Sequence, residues 1–197
     1  MENTPIILAS GSPRRAQLLR QVGVEFAIEP AGIDETPRPC EAPADYVSRM
    51  AIEKALAVFS RRTEAVVIGA DTSVIVDGRV LGKPASAEQG AAMLRALAGR
   101  AHEVLTGVAV RGPKGACETV TCTRVHMRAI ADDELSAYWR SGEPTDKAGG
   151  YAIQGLGAVF VTHIEGSYSG VVGLPLCETA SLLASVGVFC GPMSQVA

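Results

Sequence analysis

The chain has no paired-cysteine pattern, no large excess of one charge and no long apolar run. Each absence removes a class of function. Its five cysteines, Cys40, Cys117, Cys122, Cys177 and Cys190, are odd in number and scattered, with no C-x-x-C pair. That argues against a disulfide scaffold or a cysteine zinc site and fits a reducing cytoplasm. His102, His126 and His163 stand apart without metal-ligand spacing and read as structural or solvated residues. The formal net charge is −3, so the overall field favours neither nucleic acid nor an anionic membrane. No apolar stretch is long enough to span a bilayer, and no basic segment precedes an apolar core at the N-terminus. Neither a Walker A loop nor a G-x-S-x-G elbow occurs. Any positive site is therefore local, which suits a small anionic ligand better than a polymer.

What is present is an ordinary globular composition over 197 residues, 47% hydrophobic and 20% charged. That is enough for one sizeable core or two lobes. Strand and helix signals alternate from the start. Residues 6–10 read as a buried strand. Ser12 is a good N-cap and Pro13 suits the first turn of a helix running to about Val22. Residues 25–29 form a short candidate strand, and the proline-rich 31–43 a loop carrying Asp34 and Glu35. A long helix over 44–60 follows, and its apolar stripe includes Lys54, which must snorkel or meet an anion.

Residues 65–70 are a second buried strand that runs into Asp71-Thr72 and places Asp71 at a strand end. Val74–Val76, Asp77-Gly78 and Val80-Leu81 read as a hairpin. Ser86 caps a helix to about Ala98. A long hairpin spans 103–110 and 117–130, turning at Gly112–Gly115. A helix starts at Asp132 or Asp133. Residues 141–157 are irregular, 158–164 a strand and 165–173 a loop. Pro175 opens a last helix, and residues 191–197 are expected to be a disordered tail.

The turns hold a consistent set of side chains. Ser10-Gly11-Ser12-Pro13-Arg14-Arg15 joins small donors, a helix start and two guanidiniums, the parts of an anion-binding turn. Arg14, Arg15, Lys54, Lys83 and Lys147 are cations near turns or on an apolar stripe. Asp34, Glu35 and Asp71 are carboxylates near strand ends. Cations and carboxylates around one crevice imply a phosphoanhydride site with a divalent metal. A partly desolvated Asp71 suits a general base. In Gly149–Gly155, Tyr151 is either a stacking platform or a core residue. Gln154 offers both a donor and an acceptor to a base edge.

These motifs resemble the Maf family of nucleoside triphosphate pyrophosphatases. The matching runs are Ala9–Arg15, Gly69-Ala70-Asp71-Thr72, Gly82-Lys83-Pro84, Asp146–Gly155, Gly166–Ser169 and Val172–Leu176, in the family's order. The resemblance implies an α/β fold, a mixed twisted sheet with flanking helices forming two lobes around a deep cleft, as one domain over residues 1–190. It implies hydrolysis of a nucleoside triphosphate to the monophosphate and pyrophosphate, a divalent cation (Mg²⁺ or Mn²⁺), a small-molecule nucleotide as partner, no nucleic acid or membrane, and a homodimer tendency. Asp71 falls on the proton acceptor. Arg14, Thr72 and Gln154 fall on positions linked to substrate choice. Ser10, Arg15, Lys54 and Lys83 map to phosphate contacts, and Glu35 with Asp71 to the metal. The 151–155 and 166–169 runs look like the branch acting on dTTP and UTP, an expectation that extends to modified pyrimidine nucleotides. The competing readings are the sister branch acting on 7-methyl-GTP, and a non-catalytic nucleotide-binding regulator of cell division.

Overall fold

The structure is a computed structural model that describes residues 4–192. In chain order the elements are β1 (Ile6–Leu8), α1 (Pro13–Gln21), β2 (Ala27–Ile28), α2 (Pro43–Phe59), β3 (Val66–Val76), β4 (Arg79–Leu81), α3 (Ala87–Leu97), β5 (Ala101–Gly112), β6 (Gly115–Met127), α4 (Asp132–Arg140), β7 (Val161–Glu165), α5 (Tyr168–Val172) and α6 (Leu176–Ser185). Short 3₁₀ turns occupy Glu143–Asp146, Ala148–Gly150 and Leu156–Phe160. The strands form one mixed sheet in the order β2-β1-β3-β5-β6-β7, with β4 paired to β3. β1 runs parallel to β2 and β3, while β3–β4 and β6–β7 are antiparallel. The α/β class expected from the alternating signals is the class observed.

The chain divides into two compact units. Among the described residues, the first comprises those up to Asp71, residues 106–121 and those from Gly173 on, and the second residues 72–105 and 122–172. Three of the four divisions fall inside β3, β5 and β6, and the fourth follows α5. In the first unit, Ile7, Ala9, Ala51, Ala55, Val58, Ala65, Val67 and Ala109 form a core between α2 and the strands. Two glycines let α2 approach closely. A Cβ on Gly69 would lie 2.2 Å from the Ala51 carbonyl oxygen, and one on Gly107 would lie 2.3 Å from that of Val47. In the second unit, Val74, Val76, Leu94, Leu97, Val104, Val125, Met127, Leu135, Tyr138, Tyr151 and Phe160 form the core.

Locally determined features agree with the sequence. Asp77 and Gly78 both have positive φ, as a two-residue hairpin turn requires, and Val76 pairs with Arg79 across it. The Ser86 hydroxyl accepts the Gln89 N–H as the cap of α3.

Five expectations need correction. The strand expected over 158–164 begins only at Val161, and residues 158–160 belong to the 3₁₀ turn Leu156–Phe160. Asp71 is not at a strand end but inside the 11-residue β3. Ser12 occupies the N-cap position of α1 without a side-chain capping bond; its own N–H donates to Ser10 Oγ at 3.3 Å. Residues 165–173 are not all loop, because the Ser167 hydroxyl accepts the Gly170 N–H and starts the short α5. Gly191 and Pro192 form a helical turn, with the Gly191 N–H donating to the Val22 carbonyl at 2.7 Å. The rest of the expected tail, residues 193–197, lies outside the described residues.

Candidate active site

β3 sets the geometry. Strand residues alternate between faces. Val67 packs in the core with α2, and Gly69 lies against the α2 backbone. Asp71 is next on that face. It lies past Ile68, the last residue of β3 in register with β1, so its side chain meets α2 after the apolar contacts have ended. Lys54 is there. Its Nζ donates to Asp71 Oδ1 at 2.8 Å and lies 3.0 Å from Glu35 Oε1. Lys54 and Asp71 are both buried, at 7% exposure each, whereas the Glu35 side chain is 56% exposed. The lysine on an apolar stripe has met its anion, and it has met two.

The loop that carries Glu35 is fastened to the same helix. Tyr46 Oη donates to the Glu35 carbonyl at 2.8 Å, and Arg49 donates to the Thr36 carbonyl at 3.2 Å. Arg49 also forks onto Glu41, at 2.5 and 2.7 Å, which pulls the Glu41 carboxyl down to about 2. Burial, with the Asp71 and Glu35 charges adding to it, pushes the Tyr46 phenol up to about 12, so it stays a donor at neutral pH. Tyr46, Arg49 and Glu41 carried no signal in the sequence, because their partners lie on a separate loop.

The Ser10–Arg15 turn is internally bonded. Ser10 is buried, and its Oγ accepts both the Ser12 N–H and Arg15 Nη1, the latter at 3.0 Å. Arg15 Nε donates to the Gly173 carbonyl at 2.8 Å. Burial holds the Arg15 guanidinium below its ordinary value; the Asp71 charge opposes this, Arg14 adds to it and Glu35 opposes it again. Ser10, Arg15, Glu35, Lys54 and Asp71 are therefore one electrostatic group within the first unit. Arg14 stands beside Arg15 in the first turn of α1.

Thr72, Lys83 and Gln154 belong to the second unit. Thr72 follows Asp71 on β3 and faces the opposite way. Lys83 and Gln154 are exposed. The Gly149 N–H donates to the Gly82 carbonyl at 3.0 Å, so the Gly82-Lys83-Pro84 turn is bound to the start of the glycine-rich loop. Tyr151 is no stacking platform. It is buried in the core, with its hydroxyl 2.8 Å from His102 Nε2. Aromatic residues beside glycines serve cores and ligand sites alike, so the sequence alone left both roles open.

The formal charges of Arg15, Lys54, Glu35 and Asp71 cancel. A polyphosphate would need further positive charge, and the two carboxylates offer hard oxygen donors. That set fits a Mg²⁺-like ion, which takes one or two carboxylates and completes its shell with water and substrate phosphate. Among the described residues no group of three or more His, Cys, Asp or Glu side chains forms a metal nest.

The family model of the Maf-like proteins matches residues 5–186. A curated protein of Hahella chejuensis, named dTTP/UTP pyrophosphatase, is 53% identical over 186 residues, covering 93% of this chain and 92% of its own. Proteins of the same name from Methylobacillus flagellatus and Pasteurella multocida are 51% and 48% identical, over 94% and 95% of this chain and 94% and 98% of theirs. With a family match over nearly its whole length and relatives this similar, the chain belongs to the Maf family.

Proposed function

We propose that this protein hydrolyses dTTP and UTP, and modified pyrimidine nucleotides of the same shape, to the monophosphate and pyrophosphate. The observation that carries the chemistry is the buried Lys54 ammonium held between Asp71 and Glu35 beside the Ser10–Arg15 turn. The base preference rests on the names of the relatives.

Asp71 is the proton acceptor. Lys54 engages its Oδ1, which leaves Oδ2 to take a proton from water. The water oxygen forms a bond to the α-phosphorus. The bond from that phosphorus to the bridging oxygen breaks, and its electron pair leaves with pyrophosphate. Ser10, Arg15, Lys54 and Lys83 hold phosphate oxygens and spread the charge that moves onto the leaving group. Glu35 and Asp71 would hold a divalent cation, Mg²⁺ or Mn²⁺, which would supply charge neutralisation. Arg14, Thr72 and Gln154 select the base. A homodimer in the cytoplasm completes the reading; the cysteines are all free thiols, as a reducing compartment keeps them.

The test is pyrophosphate release from a panel of dTTP, UTP, dCTP, GTP and 7-methyl-GTP with Mg²⁺ or Mn²⁺. Preference for dTTP and UTP is expected. A preferred purine would overturn the substrate, and nucleotide bound but left intact would overturn the reaction. Asp71→Asn should lose about 10²–10⁴-fold in kcat, the range for removing a general base, and should melt lower than the parent while still folding, because buried Lys54 keeps only Glu35 as a counter-charge. Parental turnover in that variant would remove Asp71 from the role.

A further inference from the structure

Glu143 carries a set of contacts that the reaction does not use. It lies in the 3₁₀ turn after α4 and is half-buried. Its Oε1 accepts the Tyr138 hydroxyl at 2.7 Å and the Gly157 N–H at 3.0 Å. Its Oε2 accepts the Leu156 N–H at 2.8 Å. The Tyr138 oxygen in turn accepts the Ala152 N–H at 3.2 Å. Two side chains thus hold three backbone N–H groups, at Ala152, Leu156 and Gly157, and Gln154 lies between these anchors. Burial pushes the Glu143 carboxyl upward, but the Gly157 N–H, the Tyr138 hydroxyl and the Leu156 N–H outweigh it, so it ionises more readily than an ordinary glutamate.

The glycines of this loop make room for the clamp. A Cβ on Gly155 would lie 2.2 Å from Glu143 Oε2, and one on Gly157 would lie 2.7 Å from the Tyr138 hydroxyl. Gly155 has a negative φ of −118°, so what bars a side chain there is the carboxylate. Gln154 is exposed, and packing does not fix it. Its placement comes from the backbone that Glu143 and Tyr138 hold.

We propose that Glu143, with Tyr138, is the positioning pair for the Gln154 loop and thereby sets the base preference of the site. This rests on the reading above, in which the site turns over nucleoside triphosphates and Gln154 reads the base. An amide can distinguish thymine or uracil from cytosine only if its donor and acceptor ends are held in place, because cytosine reverses the pattern on the same edge. Removing the anchors frees the amide and relaxes the discrimination.

The test compares kcat/KM for dTTP and dCTP in the parent, Glu143→Ala, Glu143→Gln, Tyr138→Phe and Gly155→Ala. In Glu143→Ala and Gly155→Ala the dTTP:dCTP ratio should fall about tenfold or more, mostly through a raised KM for dTTP, as expected for losing oriented hydrogen bonds. Glu143→Gln, which keeps one acceptor oxygen, should retain part of the ratio. Tyr138→Phe should show the smallest loss. Folded variants with the parental ratio would overturn the proposal. If Glu143→Ala does not fold, Gly155→Ala and Tyr138→Phe decide the outcome. A parent that releases no pyrophosphate from any triphosphate refutes the enzymatic reading instead. The same ratio is then taken from dissociation constants, and an unchanged ratio there overturns the clamp.

Discussion

His102 is buried at 3% exposure, with one ring nitrogen against the Tyr151 hydroxyl and the other, Nδ1, without a hydrogen-bond partner among the described residues. Burial pulls its pKa down to about 4, and the nearby His126 and Arg100 add to the shift. Between that value and an ordinary histidine near 6.5, the unfolded chain binds a proton that the folded chain refuses. Stability therefore rises with pH across this window and is lost as pH falls from about 6.5 to about 4. The difference is worth up to about 3 kcal/mol. Urea midpoints measured from pH 7 to pH 4 should fall accordingly. His102→Phe, weaker at pH 7 because Tyr151 loses its partner, should show a flatter profile. Equal slopes in the two proteins would mean that other groups carry the acid sensitivity. The contrast with Lys54 is instructive. His102 has no carboxylate partner and serves the core, whereas Lys54 lies between two carboxylates.

At the scale of elements, α2 does more than any other to assemble the site. It presents Lys54 to β3, and through Tyr46 and Arg49 it fastens the loop that carries Glu35. Its distance from the sheet is set by Gly69 and Gly107. Gly69→Ala should push the helix outward, destabilise the protein by about 1–3 kcal/mol as overpacking does, and lengthen the Lys54–Asp71 contact. Melting temperature and kcat should fall together, and a folded Gly69→Ala protein with parental activity would refute this control by α2. The same elements show what the sequence could reveal. The Asp77-Gly78 turn and the Ser86 cap were legible because each is decided by residues within a few positions. A carboxylate amid apolar residues reads as a strand terminus, yet β3 continues through Asp71 because Lys54 compensates the charge. That lysine is 17 residues away in sequence. The contact of Arg15 with Gly173 spans 158 residues, and those of Glu143 with Leu156 and Gly157 depend on how an irregular loop folds back. The types of the site residues were legible, whereas the residues that hold them in place were not.

At the scale of the whole chain, neither compact unit is a continuous stretch of sequence, and three of the four divisions fall inside β3, β5 and β6. A strand cannot melt in one half without fraying the other. Heat or urea should therefore unfold the protein in a single transition, with coincident far-ultraviolet and tryptophan-fluorescence curves. Two resolved transitions would show that the units are thermodynamically separable. The alternation along β3 also bears on how faithfully the chain finds its fold. A slip of one residue against α2 would present Ala70 where only Gly69 fits, and Thr72 where Lys54 requires a carboxylate. Such a misregistered chain would meet a steric clash and a buried ammonium left with only the exposed Glu35 as partner. The Lys54–Asp71 pair, proposed above for hydrolysis, thus also acts as a proofreading device in folding, penalising the wrong pairing before any substrate is met.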